Sequence, residues 1–312
     1  MRACCVALLS FLLLAAPRVA TSQTLVRDVR AAITKGDIAA ADGLVAAYRA
    51  EKGTTPEALA GLSWVGRGAL NTKQYDAADR YARQTEKLVL ETLKTRALGS
   101  DQNLVVALGA ALEVQAKVMA ETGQRASAVK YLQDQVKRYR NSPIHMRLTK
   151  NLNLISLEGQ KAPRLSATQF LGAPMPDTRG KPVLMLFWAH WCPDCKRQVP
   201  IVSELERDYR DKGLIVIGPT KYYGYVTAGR EAGKAEEFAH MGAVLKQYYS
   251  ALPNMAVPVS DEDALDYGMD ATPTIVLVDR AGIVRLFHPG NMERAELEPH
   301  IKALVAPATS SH

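Results

Sequence analysis

The stretch FWAHWCPDCKRQVP, Phe187 to Pro200, decides how this chain is read. Two cysteines, Cys192 and Cys195, stand two residues apart at the end of an apolar run. Zinc, a structural disulfide or redox exchange can each use such spacing. Zinc needs about four ligands, and the pair supplies two. His190 is close by, but the sequence holds no second CxxC. A structural disulfide stabilises mainly by closing a long loop, and this loop is very short. Redox exchange is the remaining use.

The surroundings support it. KPVLMLFWA, from Lys181, is a continuous apolar run of the kind found in strands buried on both faces. Val199, Val202, Leu205 and Tyr209 follow at helical spacing, which predicts a helix over 193–209. Cys192 therefore begins a helix. Backbone N–H groups lack partners there, and the helix dipole favours negative charge, so the thiol pKa should fall. Cys195, one turn on, lies within disulfide reach. Pro193 suits the first turn because its missing N–H would be unpaired anyway.

Further strands are expected at GLIVIG (213–218), TIVLVD (274–279) and GIVRLF (282–287), the last two joined by a turn at 280–282. Helices are expected at 235–252 and 292–305, with Pro299 kinking or restarting the second. The fold class is α/β, a mixed sheet with helices on both faces, preceded by an all-α domain.

These motifs together resemble the thioredoxin-fold proteins, in particular the exported TlpA/ResA-like branch of thiol–disulfide oxidoreductases. The matching segments are EGQKAPRL (158–165), RGKPVLMLFWAHWCPDC (179–195) and YGMDATPTIVLVDRAGIVRLFHPG (267–290). The resemblance covers about residues 158 to 306 and none of the chain before it. It implies Cys192 as the attacking thiolate and Cys195 as the resolving thiol. It implies Pro273 as a cis-proline beside the pair, Thr272 as a backbone contact for substrate, and Trp191 as a flanking side chain. It implies no cofactor and no metal. Two departures matter. Cytosolic thioredoxins place a buried Asp where Leu186 stands, and some cytochrome c-maturing members a Glu where Gln198 stands. The acid–base partner of Cys195 is thus unassigned. Asp194, Lys196 and His190 are candidates, each expected to be exposed. Asp194 should also oppose a thiolate on Cys192 and make the couple more reducing.

The chain has 312 residues, enough for two cores. Its 47% apolar and 23% charged residues are globular values and exclude a disordered chain. From Thr24 to about Leu157 apolar residues recur at three- and four-residue steps, which predicts helices only. GDIAAAD from Gly36, KQYDAAD from Lys73 and GQRASAV from Gly123 form a weak internal repeat. They loosely resemble tetratricopeptide repeats, with an unrelated helical bundle as the other reading. The domains expected are 23–157, helical and tetratricopeptide-like, and 158–312, thioredoxin-like.

Residues 23–160 carry a net charge of +6 and residues 161–312 of −1. VKRYRNSPIHMRLTK, Val136 to Lys150, could meet an acidic partner or a membrane, but is read as a solvated helix end. The N-terminus carries Arg2, an apolar run over Ala3–Ala16 and a small-x-small site at Ala20-Thr21-Ser22. That is the pattern of a signal peptide over 1–22, which would remove Cys4 and Cys5; an uncleaved anchor is the other reading. No later segment is expected to span a membrane.

The expected protein is an exported, periplasmic or extracytoplasmic protein-disulfide reductase. Its partners would be protein disulfides, a membrane electron donor and a protein partner on the helical half, with no nucleic acid. A helical binding scaffold and a thiol peroxidase are the alternatives. The latter usually carries a Pro-x-x-x-Thr-x-x-Cys context, which Cys192 lacks.

Overall fold

The computed structural model describes residues 25–227 and 230–306. The leader over 1–22 lies outside the described residues. Seven helices come first: α1 Leu25–Thr34, α2 Ile38–Lys52, α3 Pro56–Asn71, α4 Tyr75–Thr92, α5 Gln102–Glu121, α6 Arg125–Arg138 and α7 His145–Ser156. The segments that define them also start them. Asp37 caps α2 by accepting the Ala40 N–H at 2.8 Å, and Thr55 caps α3 with Pro56 at its first position. The three repeated heptapeptides each open the second helix of a hairpin: α2, α4 and α6.

Helices α1, α3 and α5 pack side by side, with α2, α4 and α6 behind them. Alanine and glycine dominate the buried faces of α3 and α5, which lets their backbones approach closely. By length and composition α5 could cross a membrane, against the expectation that no later segment would. Its apolar surface is instead covered by α3, α4 and α6.

The second half contains β1 Gln169–Gly172, β2 Val183–Phe187, α8 Pro193–Tyr209, β3 Ile215–Ile217, β4 Tyr225–Thr227, β5 Arg230–Glu231, α9 Lys234–Tyr248, β6 Ala256–Val259, α10 Asp261–Asp266, β7 Thr274–Val278, β8 Val284–Pro289 and α11 Arg294–Val305. The main sheet runs β1-β6-β3-β2-β7-β8. Strands β2, β3 and β6 are parallel; β7, β8 and β1 are antiparallel to their neighbours. β4 and β5 form a separate hairpin.

All five residues of β2 are buried, as its unbroken apolar run requires. Leu184 and Leu186 face α8, α9 and α11, while Val183, Met185 and Phe187 face Leu157, Ala264 and Tyr267. The sheet therefore has helices on both faces, and the second face is covered in part by α7 and α10. Strands β1 and β6 were not expected. Pro258 sits within β6 and argues against a strand, since it donates no hydrogen bond. Only four residues pair with β1, and the Pro258 carbonyl accepts the Thr220 N–H at 2.9 Å instead. Pro299 does not break α11, which runs unbroken over 294–305. Ala295, four residues back, is exposed, so its freed carbonyl has water.

The basic run over 136–150 is a correction. Lys137, Arg138 and Arg140 are exposed, but Arg147 and Lys150 are turned inward. Arg147 pairs with Glu113 of α5 at 2.6 Å, and Lys150 pairs with Asp270 of the second half at 2.8 Å. The Asn153 side-chain amide donates to the Tyr267 carbonyl at 3.0 Å. The connecting segment is equally tied down: the Gly159 N–H donates to Val284 O and the Val284 N–H to Gln160 O, both at 2.9 Å.

Gly268 makes this contact possible. Its φ of +63° suits glycine, and a Cβ would run into the backbone of Thr149 and Lys150. Gly268→Ala should therefore cost about 2 kcal/mol or more and loosen α7 from the second half. Urea denaturation, with limited proteolysis between residues 157 and 162, reads both effects.

Candidate active site

Strand β2 ends at Phe187, and the chain turns through Trp188 to Trp191 into α8. Trp188 anchors the turn. It is fully buried, its Nε1–H donates to Gly218 O at 2.8 Å, and its carbonyl accepts the Thr220 hydroxyl at 2.7 Å. Cys192 is the N-cap of α8, and its N–H donates to Ala189 O at 3.0 Å. Its Sγ accepts the Cys195 backbone N–H at 3.1 Å, where a serine or aspartate oxygen ordinarily caps a helix. Both cysteines are free thiols, 2% and 0% exposed.

The two sulfurs differ chemically. Cys192 is drawn down to about 6, first by a hydrogen bond from the Cys195 thiol, against the opposing effect of burial. Thr272 and the Cys195 backbone N–H add to the lowering. Cys195 is pushed strongly up by burial and by its neighbour Cys192. At neutral pH the site holds one thiolate and one thiol.

The Cys192 Sγ lies 3.4 Å from the Thr272 carbonyl oxygen, to which its thiol form can donate. The Thr272–Pro273 peptide is cis. The structure thus brings Cys192, Cys195, Thr272 and Pro273 together from α8 and the start of β7. Trp191 stands at the rim, 44% exposed. Pro193 occupies the first position of α8 on the exposed side. Among the described residues no group of three or more His, Cys, Asp or Glu is placed to hold a metal ion.

The acid–base candidates separate. Asp194 points outward and pairs with Arg197. Its charge opposes the Cys192 thiolate, as expected, but it is the least of the named influences. Lys196 reaches over the Tyr248 ring at 4.3 Å. His190, expected at the surface, is wholly buried beside Glu237, with 3.3 Å between Nε2 and Oε1. Leu186 is buried in β2 and Gln198 in α8. The Gln198 amide clamps Met292, donating to its carbonyl at 3.0 Å and accepting its N–H at 2.9 Å. A neutral amide does both; a carboxylate could only accept.

Sequence reasoning missed Glu237, Tyr223 and Tyr249. Glu237 accepts the Tyr223 and Gly224 N–H groups at 2.6 and 2.9 Å. Tyr223 meets Trp191 edge-on at 5.6 Å, and Tyr249 packs against Trp188 at 4.6 Å. Burial raises both phenols, and the charges of Cys195 and Cys192 raise them further. The tyrosine-rich segment 220–238 was a signal, but the sequence could not show which rings turn inward.

Iodoacetamide should label Cys192 with a rate that rises through a midpoint near pH 6, while Cys195 stays unlabelled. The same depression has a sign for stability. An acid whose pKa falls on folding stabilises the reduced protein above its unfolded pKa and loses that contribution as pH falls through the folded one. Urea titration of the reduced protein should show that advantage shrinking between about pH 9 and pH 6.

Residues 177–304 match the model of the thioredoxin-like domain. The chain is 28% identical over 143 residues to thioredoxin-like protein YneN of Bacillus subtilis (strain 168), covering 45% of this chain and 76% of that protein. It is 26% identical over 148 residues to thiol-disulfide oxidoreductase ResA of Geobacillus kaustophilus (strain HTA426), covering 47% and 77%. Among solved structures, an exposed lipoprotein thioredoxin of Streptococcus pneumoniae strain TIGR4 is 26% identical over 41% of this chain and 88% of that one, with a TM-score of 0.33. The second half of this chain is a thioredoxin-like domain.

Proposed function

We propose that this protein is an exported reductase of protein disulfides working through a mixed disulfide. The observation that carries this is the division of labour between the sulfurs: a stabilised thiolate on Cys192, the N-cap of α8, and a thiol held protonated on Cys195, one turn on. The Cys192 thiolate attacks a substrate disulfide, and one substrate sulfur leaves. Cys195 then attacks the Cys192 sulfur of the mixed disulfide, releasing the second substrate thiol and leaving a Cys192–Cys195 disulfide. Two electrons pass to the substrate. A dithiol donor, expected at the membrane, must restore the pair.

The direction of flow rests on how far the thiolate is stabilised. A value near 6 lies closer to the thiol of reducing thioredoxin, about 7, than to that of the strongly oxidising periplasmic enzyme, about 3.5. Asp194 contributes little here, because Arg197 pairs with it. Thr272 and Trp191 would receive an extended substrate segment, the first by its backbone and the second by its exposed ring.

The N-terminal leader pattern supports export, with 23–157 and 158–312 as the two domains of the mature protein. The helical half is read as the element that positions substrates. Its α7 grips Asp270 and Tyr267, a few residues before Thr272.

Cys195→Ser should trap substrate proteins on Cys192 as mixed disulfides, recoverable by mass spectrometry, whereas Cys192→Ala should trap none. The reduction potential, equilibrated against a dithiol buffer, should lie well below about −120 mV, the value of the strong oxidant. A value at or above it would reverse the assigned direction.

A second substitution addresses the helical half. Lys150→Ala with Asn153→Ala should lower kcat/KM for a protein disulfide by about tenfold, or about 1.4 kcal/mol, and leave turnover of a small aromatic disulfide unchanged. Equal loss on both substrates would remove the positioning role.

A further inference from the structure

Two cations of the helical half meet on one aromatic ring. Leu25 of α1 packs against Gly61 of α3, and Ile33 against Gly68. The two helices therefore run parallel, and Arg30 falls level with the turn between Trp64 and Arg67. Its guanidinium lies 4.7 Å from the centre of the Trp64 ring, and that of Arg67 lies 4.5 Å from it. Trp64 and Arg67 are three residues apart and share a helix face. Arg30 is exposed, while Trp64 and Arg67 are half-buried.

This charge is not compensated within the chain. Among the described residues neither guanidinium forms an ion pair. The two carboxylates that attract Arg67 are already engaged. Glu113 is held by Arg147 at 2.6 Å and by Lys117 at 2.7 Å, and Asp270 is held by Lys150 at 2.8 Å. Arg67 is pushed down to about 10, first by burial and next by the charge of Arg147. Gathering like charges costs free energy unless an opposite charge joins them. A guanidinium over an aromatic face keeps its N–H edge for carboxylates.

The surface leads toward the dithiol. The Arg147 side chain lies across Gly109 of α5, in space that a Cβ would take. Lys150, one turn further along α7, joins Asp270. Asp270 stands two residues before Thr272, whose carbonyl lies 3.4 Å from the Cys192 sulfur. Neighbouring helix axes are about 8–10 Å apart, so the path from α3 across α5 to α7 is about 20 Å. About six residues of extended chain cover it.

We propose that Arg30, Trp64 and Arg67 bind an acidic, extended segment of the disulfide-bearing substrate protein. This inference rests on the oxidoreductase reading above and names its substrate class. Carboxylates of the segment pair with the two guanidiniums, and the chain runs past α7 to present its disulfide at Thr272 and Cys192. Capture of this kind raises the rate of productive encounter and weakens as salt screens the charges.

The test uses the full chain and two peptides, each with one disulfide and a tail that starts about six residues from it. The tail is a run of glutamates in one peptide and of glutamines in the other. For wild type, kcat/KM should be about tenfold higher for the glutamate peptide, and the difference should shrink as salt rises. Arg30→Gln with Arg67→Gln should abolish the preference and leave the rate on the glutamine peptide unchanged. Arg207→Gln with Lys302→Gln removes the same charge from α8 and α11, on the opposite face, and should keep the preference. A disulfide-free glutamate tail, followed by fluorescence anisotropy, should bind wild type and bind the Arg30→Gln, Arg67→Gln protein about tenfold more weakly. Equal rates on the two peptides in wild type, or equal loss of preference in both double variants, would overturn the proposal alone. So would an undiminished preference without Arg30 and Arg67. A wild type that binds the tail but reduces neither peptide would overturn the oxidoreductase reading and leave the acidic-segment surface standing.

Discussion

A helix that begins on a sulfur atom governs this structure. The Cys192 Sγ accepts the Cys195 N–H, as an oxygen would at an ordinary N-cap. The bond satisfies one of the unpaired N–H groups of the first turn and at the same time stabilises negative charge on sulfur. The Cys195 thiol adds a second donor to the same sulfur. Structural capping and chemical activation are here one interaction.

That interaction needs a rigid platform. β2 lies at the centre of the sheet between β3 and β7, buried on both faces, so its C-terminal end cannot drift. Trp188 ties the following turn to Gly218 and Thr220 at the end of β3. Gln198 ties the first turns of α8 to Met292, just ahead of α11. The Thr272–Pro273 segment enters from the other side at the start of β7. The sulfur is thus fixed by contacts from four separate elements, and a change in any of them would be felt at the thiolate.

The helical half joins this platform through α7 and the Gly268 region, on the face of the sheet opposite α8 and α11. Tyr267 occupies the centre of the junction. Its ring meets Phe187 in a tilted pair at 4.9 Å, its hydroxyl donates to the Pro163 carbonyl, and its own carbonyl accepts from Asn153. The two halves therefore share a buried layer with the strand that carries the site, which links the position of the helices to the loop before Thr272.

Local order was legible in the sequence because it follows from short-range chemistry. The apolar run of β2, the helical spacing of α8, the strands β7 and β8, and the helical character of the first half all follow from periodicity. That Cys192 begins a helix with Cys195 one turn on follows from a strand end, a helix start and a three-residue step; their separate roles were implied by the family resemblance. Strands β1 and β6 were not legible, because a four-residue edge pairing with a proline in it carries no periodic signal. Only tertiary packing could place Glu237 under His190, or turn Arg147 and Lys150 inward. Burial and pairing of a charge depend on residues far apart in the chain: 47 positions separate His190 from Glu237, and 120 separate Lys150 from Asp270. A sequence read along its length specifies which groups can ionise; the fold decides which of them meet.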